Sequence, residues 1–179
     1  MSFPVLVKLR SGSKVPNSHY IIFCNNEDGL SKALSYEGFQ DRLLLIQSYV
    51  AHFEQVYKVY GIREWFTTTI ALSIPHKVMK SQSAYPFDSQ KKFEPGLFTN
   101  FSKSESRVDE ALMKRFFAAF YKEFNLKIYG VDIIVDQETG VHHVIDCNYY
   151  SSYSGTPEEE LARVFDGLIY QELEELKEE

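Results

Sequence analysis

Cysteine is scarce in this chain. Only Cys24 and Cys147 occur in 179 residues. Two thiols so far apart build no disulfide framework and offer no metal-ligand spacing, so a reduced, intracellular setting is the simpler expectation. Long apolar runs are absent too. The opening MSFPVLVKLR is too short for a signal peptide, and no later segment reaches the roughly 20 apolar residues of a membrane span. The expectation is a cytoplasmic protein with no membrane partner. Positive charge is in deficit: 19 Lys and Arg face 25 Asp and Glu, for a net charge of −6. That balance argues against a non-specific nucleic-acid binder. Several signatures are also missing. There is no G-x-x-x-x-G-K-[ST] loop and no G-x-S-x-G elbow. None of His19, His52, His76, His142 and His143 has zinc spacing. No internal repeat is found.

What is present describes a globular chain. Hydrophobic residues make up 44%, charged residues 25% and aromatics 15%. The length suits one sizeable domain or two small lobes sharing a cleft. Charge is unevenly spread. The tail PEEELARVFDGLIYQELEELKEE is strongly acidic, whereas the first loop, KLRSGSK, holds Lys8, Arg10 and Lys14. Such a loop either holds an anion or is an ordinary solvated turn, and this feature alone leaves both readings open.

Pattern reading gives an order of elements. FPVLVKLR predicts a strand over 3–9, SGSKVPNS a turn, and HYIIFC a returning strand. NEDGLSKALSYE predicts a short helix started by its Asn/Glu/Asp cluster. RLLLIQSYV reads as a buried strand that leaves the sheet near Gln47. EQVYKVYGIREWFTTTIALSI predicts two antiparallel strands turning at Gly61-Ile62-Arg63-Glu64. Residues 76–106 are polar and aperiodic, which suggests a functional flap, read as a lid over nucleotide, or partial disorder. Val108, Ala111, Leu112, Phe116 and Phe120 have helical spacing. LKIYGVDIIVD and HHVIDCNYY follow as strands joined by QETG. The tail from Thr156 is an amphipathic helix capped by Thr156-Pro157-Glu158-Glu159. The class is α+β, with two small lobes that change between Gln47 and Lys58.

One constellation carries chemistry. Asp146 and Asn148 are two apart on a strand and share a face. Antiparallel pairing can set Asp132, on the preceding strand, beside them. Two carboxylates and an amide oxygen suit a hard divalent cation and leave room for phosphate oxygens and water. The bland alternative makes Asp132 and Asp146 strand-end residues, although Asp and Asn are depleted in strands. Lys8 follows an apolar strand and Lys58 lies inside QVYKVY. The pair could cradle phosphates as point charges, or face solvent as most strand lysines do. His19 stands after the basic loop, where an imidazole could contact phosphate. His142 and His143 face opposite ways and read as structural.

The block YGVDIIVDQETGVHHVIDCNYYSSYSG resembles the C-terminal segment of the inositol 1,3,4-trisphosphate 5/6-kinases, also called inositol-tetrakisphosphate 1-kinases. FPVLVKLRSGSKVPNSHYIIF and LLLIQSYVAHFEQVYKVYGI resemble the same family in the same order. The resemblance implies an ATP-grasp-like fold of two small lobes of antiparallel sheet with packed helices. Residues 1–52 would form a partial central lobe, and 53–179 a C-terminal lobe with the metal site. It also implies a monomeric kinase moving the γ-phosphoryl group of ATP to a hydroxyl of an inositol polyphosphate. Asp132, Asp146 and Asn148 match the ligands of Mg²⁺, two ions being implied, with Asn148 also near substrate. Lys8 would bind ATP phosphate. Gln47 would begin the linker along which adenine lies, running through Val50 to Lys58. Lys58 would sit between nucleotide and substrate phosphates. Ser73 would lie on the nucleotide side. His19 would face the inositol phosphate and orient or deprotonate the attacking hydroxyl.

The chain also departs from that pattern. Ala71 stands where the family usually has Arg, and YYSSY stands where Phe-Pro-Gly or Phe-Pro-Ser usually follows the metal asparagine. The loop after Lys8 lacks the usual His-Gly pair. The chain starts just before the strand bearing Lys8, so the family's N-terminal domain is expected to be missing. The alternative is therefore a truncated or degenerate ATP-grasp module that binds nucleotide or a partner without turnover. A carboxylate–amine ligase fits less well, because those enzymes usually present Glu-x-Asn where this chain has Asp146-Cys147-Asn148.

Overall fold

The computed structural model describes residues 2–10, 15–91, 93–98 and 108–178. The elements run β1 (Val5–Leu9), β2 (Tyr20–Cys24), α1 (Glu27–Leu34), β3 (Leu44–Ser48), β4 (Gln55–Ile62), β5 (Trp65–Leu72), α2 (His76–Ser81), β6 (Ala84–Asp88), α3 (Glu110–Phe124), β7 (Ile128–Val135), β8 (His142–Asn148) and α4 (Glu158–Glu178). They form two compact units: Met1–Glu54 with Leu72–Phe101, and Gln55–Ala71 with Ser102–Glu179. The first crossing falls at Glu54/Gln55. Leu72–Phe101 then returns to the first unit, so an interleaved division replaces a single boundary after residue 52.

The first unit is built on a sheet ordered β3-β1-β2-β6. Val5, Val7 and Leu9 alternate toward a core completed by Ile22, Cys24, Ala33 and Phe39. The Asn26 side chain caps α1 by accepting the Gly29 N–H at 3.0 Å. Two expectations change here. β3 is an edge strand, not a buried one: Leu45 is 41% exposed because only one face of the edge is covered. The aperiodic stretch from residue 76 contains α2 and then β6, which pairs antiparallel with β2 through Ile22↔Pro86. Pro86 hid that strand from pattern reading, yet proline is tolerated on an edge where no N–H is needed. Lys14 and residues 99–106, part of the expected basic loop and of the expected lid, lie outside the described residues.

The second unit is built on a sheet ordered β5-β4-β7-β8. One face carries Tyr57, Val59, Tyr129, Val131, Ile133 and Val135, packed against Met113 and Phe117 of α3. The helical spacing is right but its centre is displaced. Met113 and Phe117 are buried, Leu112, Phe116 and Phe120 pack around them, and Ala111 is exposed. Asp109 caps α3 by accepting the Leu112 N–H at 2.9 Å, and Asn125 ends it in the left-handed region. The opposite sheet face presents Tyr60 and Ile62 to Tyr153, Leu161, Phe165 and Leu168, and so seats α4. The Thr156 hydroxyl is buried without a hydrogen-bond partner and does not cap α4, correcting that expectation. The hairpin between β4 and β5 turns at Arg63-Glu64, with Arg63 at φ 51°. Gly61 belongs to the strand, not the turn. A Cβ there would lie 2.3 Å from the Tyr129 ring, so glycine permits close packing instead of a bend.

Candidate functional site

α4 covers one end of that second sheet face; a row of polar side chains shares the same side with the buried Ile134. Across β4, β7 and β8, Lys58 is registered with Asp132, and Asp132 with Asp146. In the next row Tyr60 is registered with Gly130, and Gly130 with Asn148. Directly opposed residues share a face, so Lys58, Asp132, Asp146 and Asn148 stand together on one side. A β-bulge makes this possible. The register shifts between Asp132 and Ile133, so Ile133 pairs with Val144 while Asp132 pairs with Asp146. The extra residue, Ile145, reverses the alternation of β8, so Asp146 and Asn148 leave the side that Val144 occupies.

The polar row is connected. Lys58 Nζ donates to Asp132 Oδ2 at 3.1 Å, and Asn148 Nδ2 donates to Asp146 Oδ2 at 2.8 Å. Burial pushes the Asp132 carboxyl above the ordinary carboxylate range; the Lys58 ammonium opposes that and the Asp146 carboxylate adds to it. Asp146 and Asn148 are exposed, so water and ligand reach them. Among the described residues no three His, Cys, Asp or Glu side chains gather as a metal cluster. The donor set here is two carboxylates and one amide. That composition fits a hard cation such as Mg²⁺, which takes a few protein oxygens and completes its shell with water or phosphate.

The loop after Asn148 folds onto this row. A Cβ on Gly130 would lie 1.7 Å from Ser151 Oγ, so only glycine lets the Ser151 hydroxyl rest beside the Asn148 strand. Tyr153 adopts φ 51° and its hydroxyl donates to the Gly61 carbonyl at 2.9 Å. The YYSSY run, a departure from the resembled pattern, thus anchors the loop through Ser151 and Tyr153. Sequence reading missed both. A glycine inside an apolar strand was the available signal.

The other candidate residues lie in the first unit. Lys8 sits on β1, registered with Ile21 and Leu45, and Gln47 sits on β3, registered with Leu6. Lys8 and Leu6 share a strand face, so Lys8 and Gln47 share the sheet side away from Val5, Val7 and Leu9. His19 is exposed just before β2, and its carbonyl accepts the Ser89 N–H at 2.9 Å. Val50 and Ser73 meet through His52, which sequence reading left unassigned. His52 Nδ1–H donates to the Val50 carbonyl at 2.8 Å, so Nε2 accepts the Ser73 hydroxyl proton at 2.6 Å. The Ser73 N–H donates to the Glu54 carbonyl, and the His76 N–H to Glu54 Oε1 at 2.6 Å. His76 Nε2–H donates to the His52 carbonyl at 2.8 Å. Burial holds the His52 imidazole below its ordinary pKa, with the Val50 carbonyl opposing. Of the two adjacent histidines, His142 is structural: its Nε2 accepts the Asp109 N–H at 3.1 Å.

Comparison with known proteins shows the family to which the chain belongs. The profile of the inositol 1,3,4-trisphosphate 5/6-kinase ATP-grasp domain matches residues 1–166. Inositol-tetrakisphosphate 1-kinase of Xenopus laevis is 27% identical over 174 residues, which cover 88% of this chain and 40% of that protein. Inositol-tetrakisphosphate 1-kinase 6 of Oryza sativa subsp. indica is 26% identical over 188 residues, covering 99% of this chain and 33% of that protein. The chain therefore spans well under half the length of these relatives. Among solved structures, D-alanine–D-alanine ligase from Helicobacter pylori aligns with a TM-score of 0.48 at 19% identity, over 84% of this chain and 43% of that one. With a family match over nearly its whole length, this α+β chain belongs to the inositol 1,3,4-trisphosphate 5/6-kinase ATP-grasp domain family.

Proposed function

We propose that the chain serves an ATP- and Mg²⁺-dependent kinase that phosphorylates a hydroxyl of an inositol polyphosphate. The observation that carries this reading is the row Lys58, Asp132, Asp146 and Asn148 on the part of the second sheet face left open by α4. Asp132, Asp146 and Asn148 would hold Mg²⁺, whose chemistry is to neutralise charge on the nucleotide phosphates. Phosphoryl transfer asks mainly for position and charge balance, which three ligand oxygens and a flexible lysine supply. Lys58 and Lys8 bind phosphate oxygens as point charges. Gln47 and Val50 belong to the nucleotide-binding segment, and the Ser73 hydroxyl joins it through His52. His19 and Asn148 face the inositol phosphate, with His19 orienting the attacking hydroxyl. Two free thiols, Cys24 and Cys147, support a reducing, cytoplasmic setting.

The test is a calorimetric ATP titration of the 179-residue chain, with and without Mg²⁺, beside Asp146→Ala. Magnesium-dependent binding in the wild type and at least a tenfold loss in the variant are expected. Binding with no dependence on Mg²⁺ would remove the metal site from the reading. Magnesium-dependent binding with no phosphorylation of any inositol phosphate would favour a nucleotide-binding module without turnover.

A further inference from the structure

Lys58 has a second role that the kinase reading does not assign. It is registered directly across from Asp132, and Asp132 directly across from Asp146. Its ammonium lies 3.1 Å from Asp132 Oδ2, the same carboxylate that is needed for a cation. The ammonium competes with a divalent cation for that carboxylate's negative charge, and their like charges repel at such range. The pair is also easily opened. The Lys58 side chain is 42% exposed, and lysine is a point charge on a flexible four-carbon stem. Partly exposed pairs of this kind are held weakly. Phosphate oxygens offer the same ammonium an alternative partner.

We propose that Lys58 is a latch on the cation site. It holds Asp132 while no nucleotide is bound and transfers to nucleotide phosphate when one arrives, which couples divalent-cation binding to nucleotide binding. This rests on the reading of Asp132, Asp146 and Asn148 as a magnesium site. Linkage makes the coupling reciprocal: whatever nucleotide does for cation affinity, the cation does for nucleotide affinity. A chain with the latch removed binds cation alone more tightly and gains less from nucleotide. A lysine that served only as a phosphate ligand and stood away from Asp132 when no nucleotide is present would leave cation binding unchanged.

The experiment is calorimetric titration of the full chain with MgCl₂, and with MnCl₂ as a tighter-binding probe, first without nucleotide and then with saturating ATP. Lys58→Met and Lys58→Gln are both measured, so that a folding defect in one does not decide the outcome. Both are expected to bind the cation alone roughly three- to tenfold more tightly than wild type, as expected for removal of a weak competing charge. Both are also expected to lose most of the gain conferred by ATP. Lys58→Arg keeps the charge and should keep the weak cation affinity. Equal affinities in wild type, Met and Gln variants without nucleotide would leave the metal site standing and overturn the latch. No cation binding in any of them, with or without ATP, would overturn both.

Discussion

Single residues set the site through space that is absent as much as through groups that are present. Gly130 lies inside β7, beside the Asn148 strand, and its missing side chain is where Ser151 rests. An added Cβ would meet the short Ser151 side chain, its Oγ at 1.7 Å and its Cβ at 3.1 Å, not the loose end of a long side chain. Gly130→Ala is therefore expected to cost about 1–3 kcal/mol of stability, the usual scale of overpacking. It should also displace the loop that follows Asn148. Urea denaturation checks the first point. Pairing the substitution with Ser151→Gly, which vacates the contested space, should recover most of the loss. An unaltered Gly130→Ala midpoint would show that the loop is not seated as described.

Connecting segments carry as much of the architecture as the elements they join. In the first unit, the stretch that ends at Glu54 is fastened to the one that begins at Ser73 by buried polar contacts through His52, Glu54 and His76. His52 is 3% exposed, and burial depresses its pKa. The sign follows from linkage. The unfolded chain takes up a proton near pH 6.5, whereas the folded imidazole resists it until lower pH. The stabilising contribution is thus full above that value and is lost as the pH falls through the depressed one. Wild type should exceed His52→Gln in denaturant stability at pH 8, and the gap should narrow toward pH 5. A gap that stays constant with pH would mean that the proton does not distinguish the folded imidazole from the unfolded one. In the second unit, charge fastens helix to sheet in a similar way: Arg63 donates to both Glu172 and Glu175 of α4, and Lys127 also reaches Glu172.

At the scale of the whole molecule, binding should appear as stability. A ligand that binds only the folded chain stabilises it by about 2.7 kcal/mol at one hundred times its dissociation constant. Mg²⁺ with ATP is accordingly expected to raise the melting temperature by several degrees, and either one alone by much less. Asp146→Ala should remove the combined effect. Scanning calorimetry reads this directly, and equal shifts in both proteins would place the responsible cation elsewhere.

Alternating apolar residues and turn chemistry were enough to place β1, β2, β4, β5, β7 and β8, because hydrophobic period and Gly/Asn/Asp punctuation are local properties. That Asp132 and Asp146 lie on adjacent antiparallel strands followed from the QETG hairpin, although the hairpin register alone would set Asp132 opposite Ile145. Family membership, too, was legible from three blocks in order. Other features depended on partners distant in the chain. Pro86 disguised β6, whose strand character comes from pairing with β2. Leu45 read as buried until β3 proved to be an edge. Gly61 read as a turn until the Tyr129 ring filled its empty side. The face of Asp146 and Asn148 was the sharpest case. Period two would align them with Val144, but the bulge at Ile145 turns them to the side of Lys58 and Asp132. Sequence determines which donors exist and which strands carry them. Whether they converge is decided by register, and register is a property of two strands together, settled only when both are packed.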